Sequence, residues 1–336
     1  MGICRKCLEW VISYLKDRHQ FVELTYDNKK VCSDIRRIKT GVPQGSILGP
    51  LLFIIFINGI MKIICKEMMV GFVDDITLIN SKAKFEELEI DTFILVNLVV
   101  SYLRSIGMVI NPLKSNYINF TARNGSDTNY SFNILLEDDY LEQVDVGTKF
   151  LGVMVDYNLD WHEQIDYLSS KLSSGIYFIR KITKLGIKTL SLSCYYAFIY
   201  SHITYSILLW GASSQQNINR IFILQKRAMR YIENLKQRQS CREAFITNNV
   251  LTVPCIYIYE CIIYVKTNNL VDNKKTHSYN TRKCNFSENH RLALYEKKPS
   301  YMGRKFFERI PEELQIISEI NIFKKKLKLW LVDTLF

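Results

Sequence analysis

The sequence predicts an α+β fold, an antiparallel sheet with packed helices followed by a helical region and a small C-terminal region. Three observations carry that expectation. Short runs of alternating apolar and polar residues, punctuated by Asn, Asp and Gly, fill the first half of the chain. From Trp161 onward the apolar residues recur at helical spacing instead. Of the 336 residues 48% are apolar and 23% charged, and with only 6 Pro and 14 Gly the chain is neither disordered nor collagen-like. The length fits two or three domains, and the pattern divides at 1–156, 157–265 and 266–336.

Residues 5–16 place Leu8, Val11, Ile12 and Leu15 on one helical face, so an amphipathic helix opens the chain. FVELTY (21–26) and VCSDIRRI (31–38) alternate as two strands, joined at the turn signal Asp27-Asn28. After Gly45-Ser46 the run ILGPLLFIIFINGIM is apolar nearly all round, which predicts a helix buried on most sides with Pro50 in its first turn. MVGFVDDITLI (69–79) reads as two short strands flanking a polar dipeptide. KFEELEIDTFILVNLVVSYLRSIG (84–107) has acids in its first turns, Arg104 in its last and Gly107 to stop it, charges that complement a helix dipole. NYINF (116–120), SFNILL (131–136) and KFLGVMV (149–155) read as strands, and ARNGSDTN (122–129) as a loop. Long helices are predicted over 162–184, 189–209 and 216–236, and a basic amphipathic helix over 321–331.

Charge is unevenly spread around a net +11. Residues 74–166 carry 16 acidic and 6 basic side chains, whereas 171–242 carry 12 basic and one acidic, Glu233. An acidic block followed by a basic one suits a cation site beside surfaces that hold phosphates, and equally suits ordinary solvated helix faces. Nine cysteines, an odd number with no second pair or histidine pair at zinc-finger spacing from Cys4 and Cys7, read as reduced thiols of an intracellular protein. MGICRKCLEW lacks the apolar core of a signal peptide. The uncharged stretch between Lys188 and Arg220 is broken by His202, Thr204 and several serines, so a buried helix is expected there and no membrane span.

Asp74-Asp75 is the most specific chemical signal. Ionised groups resist burial, so a carboxylate pair between two apolar strands belongs at a solvated turn. There it could hold a divalent metal, since Mg²⁺ is usually bound by one or two carboxylates plus substrate phosphates. Taken alone, the dipeptide is more often an ordinary hairpin turn. TGVPQGSILGPLLF (40–53) changes the weighting. Gly41, Pro43 and Gly45 make a rigid loop whose backbone can approach a ligand closely, and Gln44 offers an amide that both donates and accepts, with Ser46 beside it.

These motifs resemble the reverse transcriptases of non-LTR (LINE-type) retrotransposons. GVPQGSILGPLLF resembles the family's motif B, which contacts template and incoming nucleotide, and FVDD resembles motif C, whose first Asp is a metal ligand. GMVIN (107–111) followed by Lys114-Ser115 resembles motif D, whose lysine is a candidate general acid toward pyrophosphate; Lys114 reads equally well as a surface lysine after a turn. Phe150-Leu151-Gly152 resembles the motif E primer grip. The resemblance implies a partial polymerase palm over 1–156, a helical thumb over 157–265 and a basic C-terminal region over 266–336. It also implies Mg²⁺ or Mn²⁺, two ions in an intact site, held by Asp74 and Asp75. The implied partners are an RNA template, a DNA primer and deoxynucleoside triphosphates. Lys226, Arg227 and Arg230 are candidates for phosphate contacts, or a plain solvated helix face. Most aromatics of 171–242 are expected in the core.

Family members carry a further metal-binding Asp in motif A, upstream of the helix that CLEWVISYLKDRHQ resembles. Met1 follows that point, so the chain is expected to be the C-terminal portion of a reverse transcriptase, weak or inactive alone. The alternative expectation is a non-catalytic nucleic-acid-binding remnant of a retroelement.

Overall fold

The computed structural model describes residues 5–64, 69–120, 131–136, 139–144, 146–271 and 293–334. The chain mixes helices with small antiparallel ladders, in keeping with α+β, and divides into two compact units. One is Met1–Asn116 with Asn129–Glu142; the other is Tyr117–Thr128 with Gln143–Phe336.

The first unit opens with α1 (Arg5–Leu15), then β1 (Arg18–Gln20), β2 (Glu23–Tyr26), β3 (Lys29–Cys32) and β4 (Arg36–Ile38). β2 and β3 form the expected hairpin, and its turn residues Asp27 and Asn28 both have positive φ, 50° and 58°, as a type I′ turn requires. The expected strand over 31–38 is two strands, because Ser33 is pinned to Val22 by its backbone N–H and its hydroxyl, both at 2.9 Å. β4 then leaves β2 and pairs with β1, Arg18 opposite Ile38.

Next come α2 (Leu48–Ile57), a 3₁₀ turn at Asn58–Lys62, β5 (Met69–Phe72), β6 (Asp75–Leu78) and α3 (Phe85–Ser105). Leu95, Val99 and Leu103 lie at successive i, i+4 positions of α3 and bury against Ile60, Ile64 and Met69, with Ile57, Ile76 and Leu78 packed alongside. α2 departs from expectation. Gly49 is its one buried residue, and Leu51, Ile54, Ile55 and Phe56 are each more than half exposed. Its apolar composition exceeds what its neighbours cover, since the cluster takes only its C-terminal end. The sheet signals that follow shrink to β7 (Asn116–Tyr117), β8 (Leu135–Leu136) and β9 (Asp139–Tyr140), and the loop expected at 122–129 lies outside the described residues.

The division falls within β10 (Glu142–Gln143), and the second unit continues with β11 (Thr148–Phe150) and β12 (Val153–Val155). KFLGVMV is therefore a hairpin rather than one strand, with Phe150 opposite Val153 and the turn at Leu151-Gly152. Helices α4 (His162–Ile182), α5 (Lys188–Tyr195), α6 (Ser201–Thr204), α7 (Ile207–Trp210), α8 (Gln215–Ile232), α9 (Arg242–Thr247) and α10 (Val253–Thr267) follow, with one π turn at Tyr196–Tyr200. The single helix expected over 189–209 is thus segmented, broken between α6 and α7 where Ser206 takes a left-handed φ of 55°. α11 (Ala293–Glu296), α12 (Pro299–Phe307), α13 (Glu312–Gln315) and α14 (Ile320–Thr334) complete the unit.

The compact units differ from the three-part expectation in two places. The β11–β12 hairpin groups with the helices, because Gln164 of α4 accepts from Met154 N–H at 2.9 Å and buried Asp156 accepts from Asp160 and Trp161 N–H at 3.0 and 2.8 Å. The C-terminal helices are no separate region, because Phe307, Phe323, Leu327 and Leu331 enter the same core as Ile165, Ile203, Trp210 and Ile256. No helix among the described residues is long and apolar enough to cross a membrane.

Candidate functional site

The hairpin β5–β6 presents the acidic pair. Phe72 pairs with Asp75, so the two turn residues are Val73 and Asp74, one position earlier than the dipeptide suggests. Val73 has φ 55° and Asp74 does not, the sign pattern of a type II′ turn. Both carboxylates are exposed, and neither takes part in an ion pair or hydrogen bond among the described residues. Asp74 stands in the turn and Asp75 opens β6, so the pair projects from the tip with divergent directions.

The glycine loop lies in the same unit. Gly41 and Gly45 hold φ of 78° and 77°, conformations that glycine adopts without penalty, and a Cβ at either would meet nothing within 4 Å. Pro43 is half-buried and Gln44 exposed. Ser46 fastens the loop to α2: its hydroxyl donates to Pro43 O at 2.7 Å and accepts from Gly49 N–H at 3.1 Å, one residue ahead of the N-cap Ile47.

Two positions that the sequence did not single out build this loop. A Cβ on Gly49 would stand 2.9 Å from Ser46 Oγ and 3.1 Å from Pro43 O, so the helix start closes over the loop only with glycine there. The Arg18 guanidinium bonds Leu15 O at 3.1 Å, Thr40 O at 3.3 Å and Gly41 O, tying the end of α1 to the loop entrance. Gly49 is visible in the sequence as a glycine inside an apolar helix; Arg18 gives no local sign, since its partners in the loop, Thr40 and Gly41, lie more than twenty residues away.

Lys114 ends a 3₁₀ turn, Pro112–Lys114, shaped by Asn111, whose side chain accepts from Leu113 N–H at 3.1 Å. Lys114 is exposed, and Ile110 just before it packs on the cluster that holds β5 and β6. Gln44 and its loop, Asp74-Asp75 and Lys114 therefore share the first unit.

The remaining candidates lie in the second unit. Leu151 and Gly152 carry φ of 46° and 86°, both positive, so the β11–β12 turn follows the type I′ pattern. Phe150 precedes them, exposed. Tyr205, another residue the sequence did not assign to a site, donates its hydroxyl to Leu151 O, and its ring lies 3.4 Å from where a Gly152 Cβ would be. On α8, Lys226 is half-buried with Nζ 4.5 Å from the Phe222 ring centroid, Arg230 donates to Gln239 O at 3.5 Å, and Arg227 is exposed.

The metal that the motifs imply can be tested against these groups. Two adjacent carboxylates, exposed and unengaged among the described residues, are hard oxygen donors that suit Mg²⁺ or Mn²⁺ with phosphate oxygens completing the shell. Among the described residues no group of three or more His, Cys, Asp or Glu side chains converges on a metal position.

Comparison with known proteins decides the family. Residues 2–172, just over half of the chain, match the family described as reverse transcriptase (RNA-dependent DNA polymerase). The chain belongs to the reverse transcriptase family. Among curated Drosophila melanogaster proteins it is similar to the probable RNA-directed DNA polymerase from transposon BS, 28% identical over 66% of this chain and 25% of that protein. It is likewise similar to the probable RNA-directed DNA polymerase from transposon X-element and to that from mobile element jockey. Each is 24% identical over 66% of this chain and 24% of the relative. These likenesses make it a LINE-type, non-LTR reverse transcriptase sequence, spanning about a quarter of the length of those relatives. No solved structure matches it. In this reverse transcriptase chain the family match takes in the glycine loop, the acidic hairpin, Lys114 and Phe150-Leu151-Gly152, whereas Lys226, Arg227 and Arg230 lie beyond it.

Proposed function

We propose that the chain serves RNA-directed DNA synthesis, copying RNA into DNA by nucleotidyl transfer. The first unit would be part of a polymerase palm and the second a thumb-like domain with its C-terminal extension. The observation that carries this reading is the exposed Asp74-Asp75 pair, unengaged among the described residues, at a hairpin tip within the segment that matches the family. Asp74 and Asp75 would hold Mg²⁺ or Mn²⁺, which when bound stabilises charge on the attacking and leaving oxygens of an in-line displacement. Gln44, on the loop fixed by Gly41, Pro43, Gly45 and Ser46, positions the base pair of template and incoming nucleotide through its amide. Lys114 supplies positive charge, or a proton, to the departing pyrophosphate. Phe150, Leu151 and Gly152 seat the primer strand, with Tyr205 holding their turn. Lys226, Arg227 and Arg230 neutralise phosphates, which makes binding fall as salt rises.

Two divalent ions carry four positive charges, and the two carboxylates at the tip offset only half of that. Turnover by these 336 residues alone is therefore low or absent in this reading. Primer extension on poly(rA)/oligo(dT) with Mg²⁺ or Mn²⁺ tests both parts. The expected result is little or no synthesis by the chain alone, with whatever is made abolished by Asp74→Ala. Robust synthesis that survives Asp74→Ala would overturn the site; robust synthesis abolished by it would overturn the low-turnover expectation. The same two-carboxylate set favours, as a second reading, a chain that holds nucleic acid without extending it. A filter-binding series then shows salt-dependent affinity with no extension under any metal.

A further inference from the structure

The aromatic side chains of the basic stretch do not all enter the core. Tyr195 and Trp210 are fully buried, but Tyr177, Phe178 and Phe198 are 61%, 45% and 40% exposed. Ser174, Tyr177, Phe178 and Lys181 follow one another at i, i+3, i+4 and i+7, so they form a single stripe on α4. The π turn at Tyr196–Tyr200 brings Phe198 against that stripe, and single π turns recur at functional sites. Gly175 sets the distance. A Cβ there would stand 3.0 Å from Ile199 Cδ1 and 3.1 Å from both Cβ and O of Phe198, so a side chain at this position would push these neighbours back by a few tenths of an ångström. The Phe178 and Phe198 rings consequently meet edge to face, centroids 5.1 Å apart at 72°, while both stay open to solvent.

Along the segment of sequence that carries the rings, charge has one sign. Lys181 Nζ lies 5.4 Å from the Tyr177 centroid, and Lys181 and Lys184 are exposed with no ion pair among the described residues. No Asp or Glu occurs between Asp166 and Glu233; Asp166 is paired with Arg220, and Glu233 with Lys188 at 2.7 Å. An apolar partner would explain exposed rings but not the missing carboxylates, and a bare polyanion would explain the cations but not the rings. A polymer that carries flat rings on a phosphate backbone matches both.

We propose that Tyr177, Phe178 and Phe198 form a stacking platform for the bases of single-stranded nucleic acid, with Lys181 and Lys184 on its phosphates. The proposal rests on the nucleic-acid reading above and goes beyond it by naming an unpaired segment and the rings that hold it.

The test is fluorescence anisotropy of the full chain with labelled oligo(dT), oligo(rU) and an abasic oligodeoxynucleotide of the same length. The intact chain should bind the base-bearing strands about tenfold more tightly than the abasic one, as base stacking on aromatic rings implies. Phe178→Ala with Phe198→Ala should erase that preference while leaving abasic affinity and the salt slope unchanged. Phe178→Leu with Phe198→Leu, which keeps apolar bulk and the fold, should erase it too. Lys181→Ala should weaken all three ligands and reduce the salt slope by about one. The preference of oligo(rU) over oligo(dT), or its reverse, identifies which strand the platform serves. An intact chain without base preference, a preference that survives loss of both rings, or a double variant that changes only the oligomeric state would each overturn the platform. Absence of any binding, abasic included, would instead overturn the nucleic-acid reading beneath it.

Discussion

Val73 shows how a single residue bears on the candidate site. A β-branched side chain at φ 55° occupies a region that L residues rarely adopt, at a cost of about 1–3 kcal/mol. The strain sits directly before Asp74, at the position of a type II′ turn that glycine ordinarily fills. Val73→Gly should therefore stabilise the hairpin by about 1 kcal/mol, once the entropy glycine loses on folding is set against the relieved strain. Urea titration of the chain followed by circular dichroism checks this, and a lower midpoint for Val73→Gly would show that the turn is not strained. The sequence revealed that a carboxylate pair belongs at this tip. It did not reveal that the turn starts one residue earlier, because nothing local marks a valine for a left-handed conformation. Gly41 and Gly45 were legible for the opposite reason, their residue type announcing the backbone they adopt. Arg18 was not, since a guanidinium that reaches three carbonyls across a turn leaves no periodic trace.

At the scale of elements, long helices were readable and short strands were not. α3, α4 and α8 repeat their buried positions over several turns, so the apolar period identifies them whatever surrounds them. A strand of two or three residues has no period to display. KFLGVMV looks continuous until its tertiary partners bend it at Leu151-Gly152. Those partners make the hairpin testable. Tyr205 grips the turn from α6's C-terminal end, and Trp210 Nε1 donates to Tyr205 O at 3.1 Å, so the tyrosine is itself anchored to the core. Tyr205→Phe removes one hydroxyl and leaves the ring packing in place, a net loss of about 1 kcal/mol. Hydrogen exchange should then quicken at residues 148–155 while α8 and α10 stay as protected as before. Unchanged exchange in the hairpin would mean that Gln164 and Asp156 hold it unaided. The full burial expected for α2 failed for a related reason: composition reports what a helix could bury, whereas the neighbours decide what it does bury.

Across the whole molecule the second unit differs from the first in how it would respond to pH. Its single core encloses Tyr195, Tyr257, Cys255 and Cys261, and Tyr200 packs against it. Burial raises the pKa of each of these groups, Tyr200 to about 12 and Cys261 to about 12. Tyr195 is raised even though its hydroxyl accepts from Gln225 Nε2 at 2.9 Å, a bond that favours the ionised form. The sign follows from linkage. In the unfolded chain tyrosine ionises near pH 10 and cysteine near 8.5, while the folded core keeps both protonated to higher pH. The stability these groups contribute is thus complete below about pH 8.5 and is lost as pH climbs through their folded values. Alkaline titration should show two populations of tyrosine. The buried set should ionise only together with loss of helix. Following tyrosinate absorbance and helical circular dichroism in parallel checks this. Ionisation of all twenty tyrosines in one gradual step, with the helical signal intact, would contradict the single shared core that joins α4 to α14.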